Sequence, residues 1–338
     1  MVVSEAFGEG LYATRPTMLI RHVAHSMAGA LRAAWVLIRE RRSISAILLT
    51  YPSLVETAVL VPLAFVIKRP IITDFYISLF DTFAHDRGIR PPRHPISRAL
   101  RSIDRWMLRS STLVITDTPE NNQRYAEMFN IPASKMLAVP VGYPPEFDED
   151  LTHPPSRLGP TRVLFYGSFI PLHGAHRFVV ASQHPALSNF DFTFIGTGQT
   201  RQQSELFVPE SSNNIKFVDW LDKPALIKEI DNSHIVLGIA GTSEKAMSVI
   251  PNKVYQALAR NRIVLTAQSP AIENSLGKAV ITFDPANDDS IVSQLLHIRD
   301  NYEVSFQEMQ AHRVAALLRC SDDTLGATLS ARLPSVSP

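Results

Sequence analysis

Between residues 238 and 273 an apolar strand, a Gly-Thr-Ser-Glu loop, a helix opened by Pro251 and a second apolar strand follow one another. A helix between two such strands brings the chain back to run in the same direction, so this stretch commits the sequence to a parallel sheet covered by helices. The same order aims unpaired helix N–H groups and a positive dipole end past the tip of a strand, the backbone arrangement that holds phosphate. Ser248 is expected to cap the first turn. Pro251 suits the first helical position, where its missing N–H had no partner to lose. Lys253 then falls in the first turn, where the dipole disfavours a cation unless an anion is near; a solvated surface lysine is the other reading.

The alternation recurs. Short apolar runs at 46–50, 70–74 and 113–116 predict strands, with helices over 17–42, 53–67 and 119–129. Ligands of such sheets bind at the strand carboxyl ends, where Asp74, Asp117 and Thr118 fall. Asp74 and Asp81 are candidates to bind or orient an acceptor, against a plainer reading as turn or capping residues. A first domain over 1–143 closes near Val139-Pro140-Val141-Gly142. Residues 144–160, with five prolines among acidic residues, read as a linker. A second domain over 161–300 carries strands around Val163, Phe192, Phe217, Ile235, Ile263 and Val280, and 301–338 supplies a terminal helix and tail.

A chain of 338 residues is long enough for two cores, and 45% apolar with 19% charged residues argues against wholesale disorder. The net charge of +1 is unevenly spread, with 17 Lys and Arg against 11 Asp and Glu in residues 1–140 and 16 against 21 thereafter. Nucleic acid is a poor partner for such a chain, because a strongly basic total and interleaved aromatic residues are both lacking. A lone Cys320 rules out an internal disulfide and fits a reducing compartment. The N-terminus lacks a signal-peptide pattern, and the longest apolar run, 54–67, is broken by Glu56 and Pro62 and too short to span a bilayer. A cytoplasmic protein is expected. The basic run 87–109 becomes an amphipathic helix from Ser97, with Ile96, Leu100, Ile103, Met107 and Leu108 set against arginines. Such a helix suits peripheral contact with the inner face of an anionic membrane, or is a plain surface helix paired with Asp86 and Asp104.

Four segments, in order, resemble the donor-binding half of a retaining glycosyltransferase of the GT-B fold, close to glycosyltransferase family 4. They are Tyr166-Gly167-Ser168-Phe169-Ile170-Pro171-Leu172-His173-Gly174, Phe194-Ile195-Gly196-Thr197-Gly198, Phe217-Val218-Asp219-Trp220-Leu221, and the run from Ile250-Pro251-Asn252-Lys253 to Ala259. A lone Gly-x-Gly is a weak signal; four ordered segments over roughly residues 161–275 are a stronger one. The resemblance implies an α/β protein of two Rossmann-like domains whose parallel sheets face across a cleft. It implies transfer of a hexose-like sugar from a nucleotide-diphosphate donor to a glycan or lipid-linked acceptor with retention, as in polysaccharide biosynthesis. No cofactor or metal is implied, because main-chain N–H groups and basic side chains neutralise the leaving diphosphate.

Under this resemblance His173, Lys253 and Glu244 form the catalytic set, with Glu244 approaching the sugar hydroxyls. Gly167, Ser168, Gly174, Gly198, Trp220, Leu221, Ser248, Val249, Ile250, Asn252 and Gln256 bind the donor. His173 reads equally as a capping or packing histidine, and Trp220 as ordinary core. Two features depart from the pattern. Many family members carry glutamates where this chain has Ser248 and Gln256, and residues 1–7 are a poor version of the opening strand, so the first domain is expected to lack that strand. Both departures favour a rival reading, a non-catalytic nucleotide-sugar-binding partner protein. A nucleotide-sugar epimerase is a third.

Overall fold

The structure, a computed structural model, describes residues 16–50, 54–148 and 155–332. The expected poor opening strand at 1–7 lies outside the described residues. Two compact units emerge. Described residues up to Thr116, together with 122–138 and 331–332, form the first, and 117–121 with 139–330 form the second.

In the first unit β1 (Ile47–Leu49), β2 (Ile71–Asp74), β3 (Leu113–Thr116) and β4 (Met136–Ala138) pair in sequence order, all parallel. Every residue of β3 is buried, as a parallel strand covered on both faces requires. The helix Leu54–Val66 continues through Pro62, and the helix Pro95–Ser110 starts two residues before the expected Ser97. Pro95 occupies its first turn and the His94 ring caps it by accepting from the Ile96 N–H at 3.2 Å. Met107 and Leu108 of this basic helix are buried in the unit's core, while Ile96 and Trp106 stay exposed and Arg98, Arg101 and Arg109 face outward. Asp104 turns inward instead of pairing with those arginines. It accepts from Ser78 Oγ at 2.6 Å and from the Phe80 N–H at 3.0 Å, while burial pushes its carboxyl up to about 6.

The second unit carries β5 (Thr161–Tyr166), β6 (Phe190–Ile195), β7 (Ile215–Val218), β8 (Ile235–Leu237), β9 (Ile263–Ala267) and β10 (Ile281–Phe283). Their spatial order is β10-β9-β8-β5-β6-β7, every pair parallel. Winding therefore runs one way from β5 to β7 and the other way from β8 to β10. The reversal lies between β5 and β8, where Val163 pairs with Ile235 and Phe165 with Leu237. Connections leave these two strands toward opposite faces, so a crevice opens beyond their carboxyl ends. The helix Tyr302–Leu318 buries Tyr302, Phe306, Met309 and Leu317 in the core of this unit. A further helix, Asp322–Arg332, follows it.

Buried His234, just before β8, accepts from the Arg162 N–H through Nδ1 at 2.9 Å and donates from Nε2 to the Ser156 carbonyl at 3.1 Å. Only the neutral ring can do both, and burial pulls its pKa down to about 4. The unfolded chain thus binds a proton between pH 6.5 and about 4 that the folded chain refuses. Stability is full above 6.5 and declines as the pH falls through this window, by on the order of 3 kcal/mol from this group. Urea unfolding at stepped pH should show that loss in the wild type and a clearly smaller one in His234→Gln.

Candidate active site at the strand reversal

Three loops leave the carboxyl ends of β5, β6 and β8 and are stitched together through their main chains. The Gly167 N–H donates to Ile195 O at 2.9 Å, the Phe169 N–H to Thr197 O at 2.8 Å and the Ala240 N–H to His173 O at 2.9 Å. Gly196 shows why these positions tolerate no side chain: its φ is +134°, and a Cβ there would lie 2.0 Å from the Gly167 carbonyl oxygen. Gly174, also left-handed, lies so close to Ala240 that a Cβ would stand 2.5 Å from its carbonyl carbon. Gly198 is pressed against Phe169 in the same way.

The loop after β8 differs from its sequence reading. Ser243 caps a short separate helix, Glu244–Ser248, by accepting from the Ala246 N–H. Ser248 therefore ends one helix instead of capping the next, and its hydroxyl returns to Glu244 O at 2.7 Å. The following helix is Asn252–Ala259, with Pro251 in extended conformation at its N-cap and no side-chain cap. Proline sits one position earlier than expected because the chain must first extend through Val249, itself extended at φ −123° and ψ 155°. Val249 and Ile250 have buried side chains, so what they offer a ligand is main chain.

Lys253 leaves the first turn of this helix and runs back under the loop. It is only 5% exposed, and its Nζ stands 3.8 Å from the centroid of the Phe165 ring with no hydrogen-bond partner among the described residues. Burial holds its pKa well below the ordinary lysine value. Beside it, His173 Nδ1 lies 2.6 Å from the Ser168 carbonyl. A carbonyl only accepts, so Nδ1 carries a proton. A methyl group built on Gly167 would stand 3.6 Å from His173 Cε1 and 3.7 Å from Lys253 Nζ. Gly167, His173 and Lys253 thus converge at the reversal of the sheet, where the Lys253 ammonium has no hydrogen-bond partner among the described residues. An anion answers that charge.

A pocket of about 270 Å³ adjoins this point, walled by Tyr166 to Ser168 after β5, Ile195 to Thr197 after β6, and Asp219, Trp220 and Leu221 after β7. Trp220, 75% exposed, stands on its rim and is not core. Buried Arg201 braces this side: it donates to Gly196 O, pairs with Glu205 and with Asp219 at 3.3 Å, and lies over the rings of Phe169 and Phe217. Tyr166 shares its hydroxyl proton between Lys253 O at 3.1 Å and Gln256 Oε1 at 3.0 Å, which fixes the Gln256 amide beside the same helix turn.

Of the residues read from sequence, Gly167, Ser168, His173, Gly174, Gly198, Trp220, Leu221, Asn252, Lys253 and Gln256 belong to this constellation or its loops. Glu244 is exposed, in the first turn of its short helix. Asp74 and Asp81 belong to the other unit. Asp74 ends β2 half-buried, with burial raising its pKa. Asp81 is fully buried and bonded to Arg124 and His85, a carboxylate already engaged. The sequence reading missed Phe165 and Arg201 as site residues and named Thr197 only within its glycine turn. Arg201 left a trace, as a basic residue four before Glu205 on an otherwise polar turn. Among the described residues no cluster of His, Cys, Asp or Glu is arranged to hold a metal ion, and no helix is long and apolar enough to cross a membrane.

No protein-family model matches the sequence, and no curated protein does. Solved structures do match. The Anabaena protein HepE in complex with UDP is 12% identical, with a TM-score of 0.66 over 91% of this chain and 82% of that one. A glycosyltransferase from Rickettsia africae is 12% identical, with a TM-score of 0.63 over 96% and 84%. An α,α-trehalose-phosphate synthase (UDP-forming) from Burkholderia vietnamiensis is 15% identical, with a TM-score of 0.63 over 91% and 76%. The chain has the GT-B fold.

A buried, unanswered ammonium lowers stability, so Lys253→Met, which keeps the volume and removes the charge, should raise the melting temperature of the ligand-free protein by several degrees. Differential scanning calorimetry checks this; an unchanged or lower value means the ammonium is already compensated.

Proposed function

We propose that the protein is a retaining glycosyltransferase. In this reading it moves a hexose-like sugar from a nucleoside-diphosphate donor, with UDP the first candidate, to a glycan or lipid-linked acceptor. The observation that carries the reading is the buried Lys253 ammonium, without a hydrogen-bond partner among the described residues, beside Gly167 and His173 at the strand reversal. The HepE complex with UDP and the UDP-forming synthase share the fold and support the choice of nucleotide. The diphosphate lies against the N-terminus of Asn252–Ala259, Lys253 and the Gly167 loop. The base enters the pocket under Trp220 and Leu221, and the ribose meets the Gln256 amide.

In the reaction the bond from the anomeric carbon to the diphosphate oxygen breaks while the acceptor oxygen bonds to the same face of that carbon. The acceptor's proton passes to the departing phosphate oxygen. Negative charge therefore grows on the diphosphate, beside the Lys253 ammonium and the N-terminus of Asn252–Ala259 with His173 next to them, and a site prepared in advance stabilises the transition state more than the donor. Glu244 orients the sugar hydroxyls, and Ser168, Ser248, Val249, Ile250 and Asn252 border the phosphates; Asp74 remains the candidate to orient the acceptor, because Asp81 is buried and engaged by Arg124 and His85. The chemistry requires neither cofactor nor metal. A lipid-linked acceptor suits a cytoplasmic protein whose basic 87–109 segment meets the inner membrane face through Arg109.

Calorimetric titration with UDP should give binding that Lys253→Ala weakens at least tenfold, about 1.4 kcal/mol. Anion binding restores the lysine proton, so wild-type affinity falls as the pH rises through the depressed ammonium value, a slope absent from Lys253→Met. Unchanged UDP affinity in Lys253→Ala defeats this placement of the diphosphate. Gln256, uncharged and already engaged by Tyr166, favours the second reading, a non-catalytic nucleotide-sugar-binding partner protein. A screen of nucleotide sugars separates the two: UDP release that rises with acceptor marks an enzyme, and donor binding without release marks the binding protein.

A further inference from the structure

An apolar depression lies in the first unit, at the end of its strands away from their carboxyl ends. It encloses about 920 Å³ and is bordered by Ile71 and Thr112, at the amino ends of β2 and β3. The helix Leu54–Val66 ends here with Phe65 85% and Val66 74% exposed, and Trp106, 41% exposed, comes from the helix Pro95–Ser110. Lys68, Arg69 and Arg109 complete the rim, and no acidic residue lines it. Lys135 adds charge beside them, donating from Nζ to Arg109 O at 2.9 Å and to Ser111 O at 2.8 Å.

We infer that this patch seats the protein on an anionic lipid bilayer, with Phe65, Val66 and Trp106 entering the interface and Lys68, Arg69 and Arg109 meeting lipid phosphates. Phe65 protrudes into solvent at real hydrophobic cost, and aromatic side chains flanked by cations partition to the headgroup boundary. Charge selects the occupant: a second copy of this chain would bring the same cations face to face, whereas an anionic surface answers all of them. The seat is distinct from the outward face of Arg98 and Arg101, which carries charge without an apolar anchor.

The test is sedimentation of the full chain with vesicles of mixed phosphatidylglycerol and phosphatidylcholine, against phosphatidylcholine alone, with UDP affinity measured in parallel. The wild type should pellet with the anionic vesicles only. Each cation near such a surface contributes about fivefold to partitioning, so Lys68→Glu/Arg109→Glu should lose at least about twentyfold. Phe65→Asp should lose binding too, while Arg98→Glu/Arg101→Glu retains most of it. All these side chains are on the surface, so UDP affinity should stay at the wild-type value; if Phe65→Asp folds poorly, the charge-reversal pair alone decides. The inference is overturned if the wild type stays in the supernatant, if neutral vesicles bind it equally, if Arg98→Glu/Arg101→Glu loses as much as the rim pair, or if the wild type forms a dimer that the rim variants dissolve. Loss of UDP binding by the wild type would defeat the donor assignment and leave the vesicle result standing.

Discussion

The ammonium of Lys253 against the Phe165 ring is the contact on which the second unit's chemistry turns. Its two partners come from opposite sides of the sheet reversal: Phe165 from β5, and Lys253 from the helix that follows the β8 loop. Only a sheet wound outward in both directions brings those elements side by side with open space above them. Topology thus supplies the crevice, and one side chain gives it a sign.

Other cations of this unit join its parts. Arg177 reaches Asp288 and the carbonyls of Ala240 and Pro285, buried Arg260 forms a two-pronged pair with Asp231, buried Arg262 donates to the carbonyls of Ile230 and Asp231, and buried Arg201 is divided among Glu205, Asp219 and Gly196 O. Each fastens one loop or helix to another. Lys253 fastens nothing through its head group. Its energetic penalty in the empty protein is the source of its affinity for an anion, the exchange of stability for function expected where a site is held ready for its ligand.

Much of this was legible in the sequence because parallel sheets write themselves plainly. Buried strands such as 113–116 and 263–267 read as continuous apolar runs, and Gly167, Gly174 and Gly198 mark turns where main chains touch. What escaped the sequence came from contacts without periodicity. Nothing in the spacing of Ser243 and Ser248 says which of them caps a helix; the chain had to extend through Val249 and so began a second helix. The inward face of 95–110 was equally hidden. Its arginines and apolar residues have the same pattern on a membrane as on a protein core, and packing against the first unit decided the matter. Nor could Asp81 be read: an acid between Phe80 and Thr82 gives no hint of the arginine forty-three positions away that engages it.

The turn at Gly196 has one further consequence. With its Cα pressed on the Gly167 carbonyl and Gly198 against Phe169, the β5 and β6 walls of the nucleotide pocket are main chain interlocked with main chain. At Gly196 and Gly198 there is no room for a side chain. Any drift in the preferred base among descendants of this sequence is therefore barred from these two glycines and falls to the side chains around the rim, Ser168, Thr197, Trp220 and Leu221, so diversification works through a few open doors in an otherwise fixed frame.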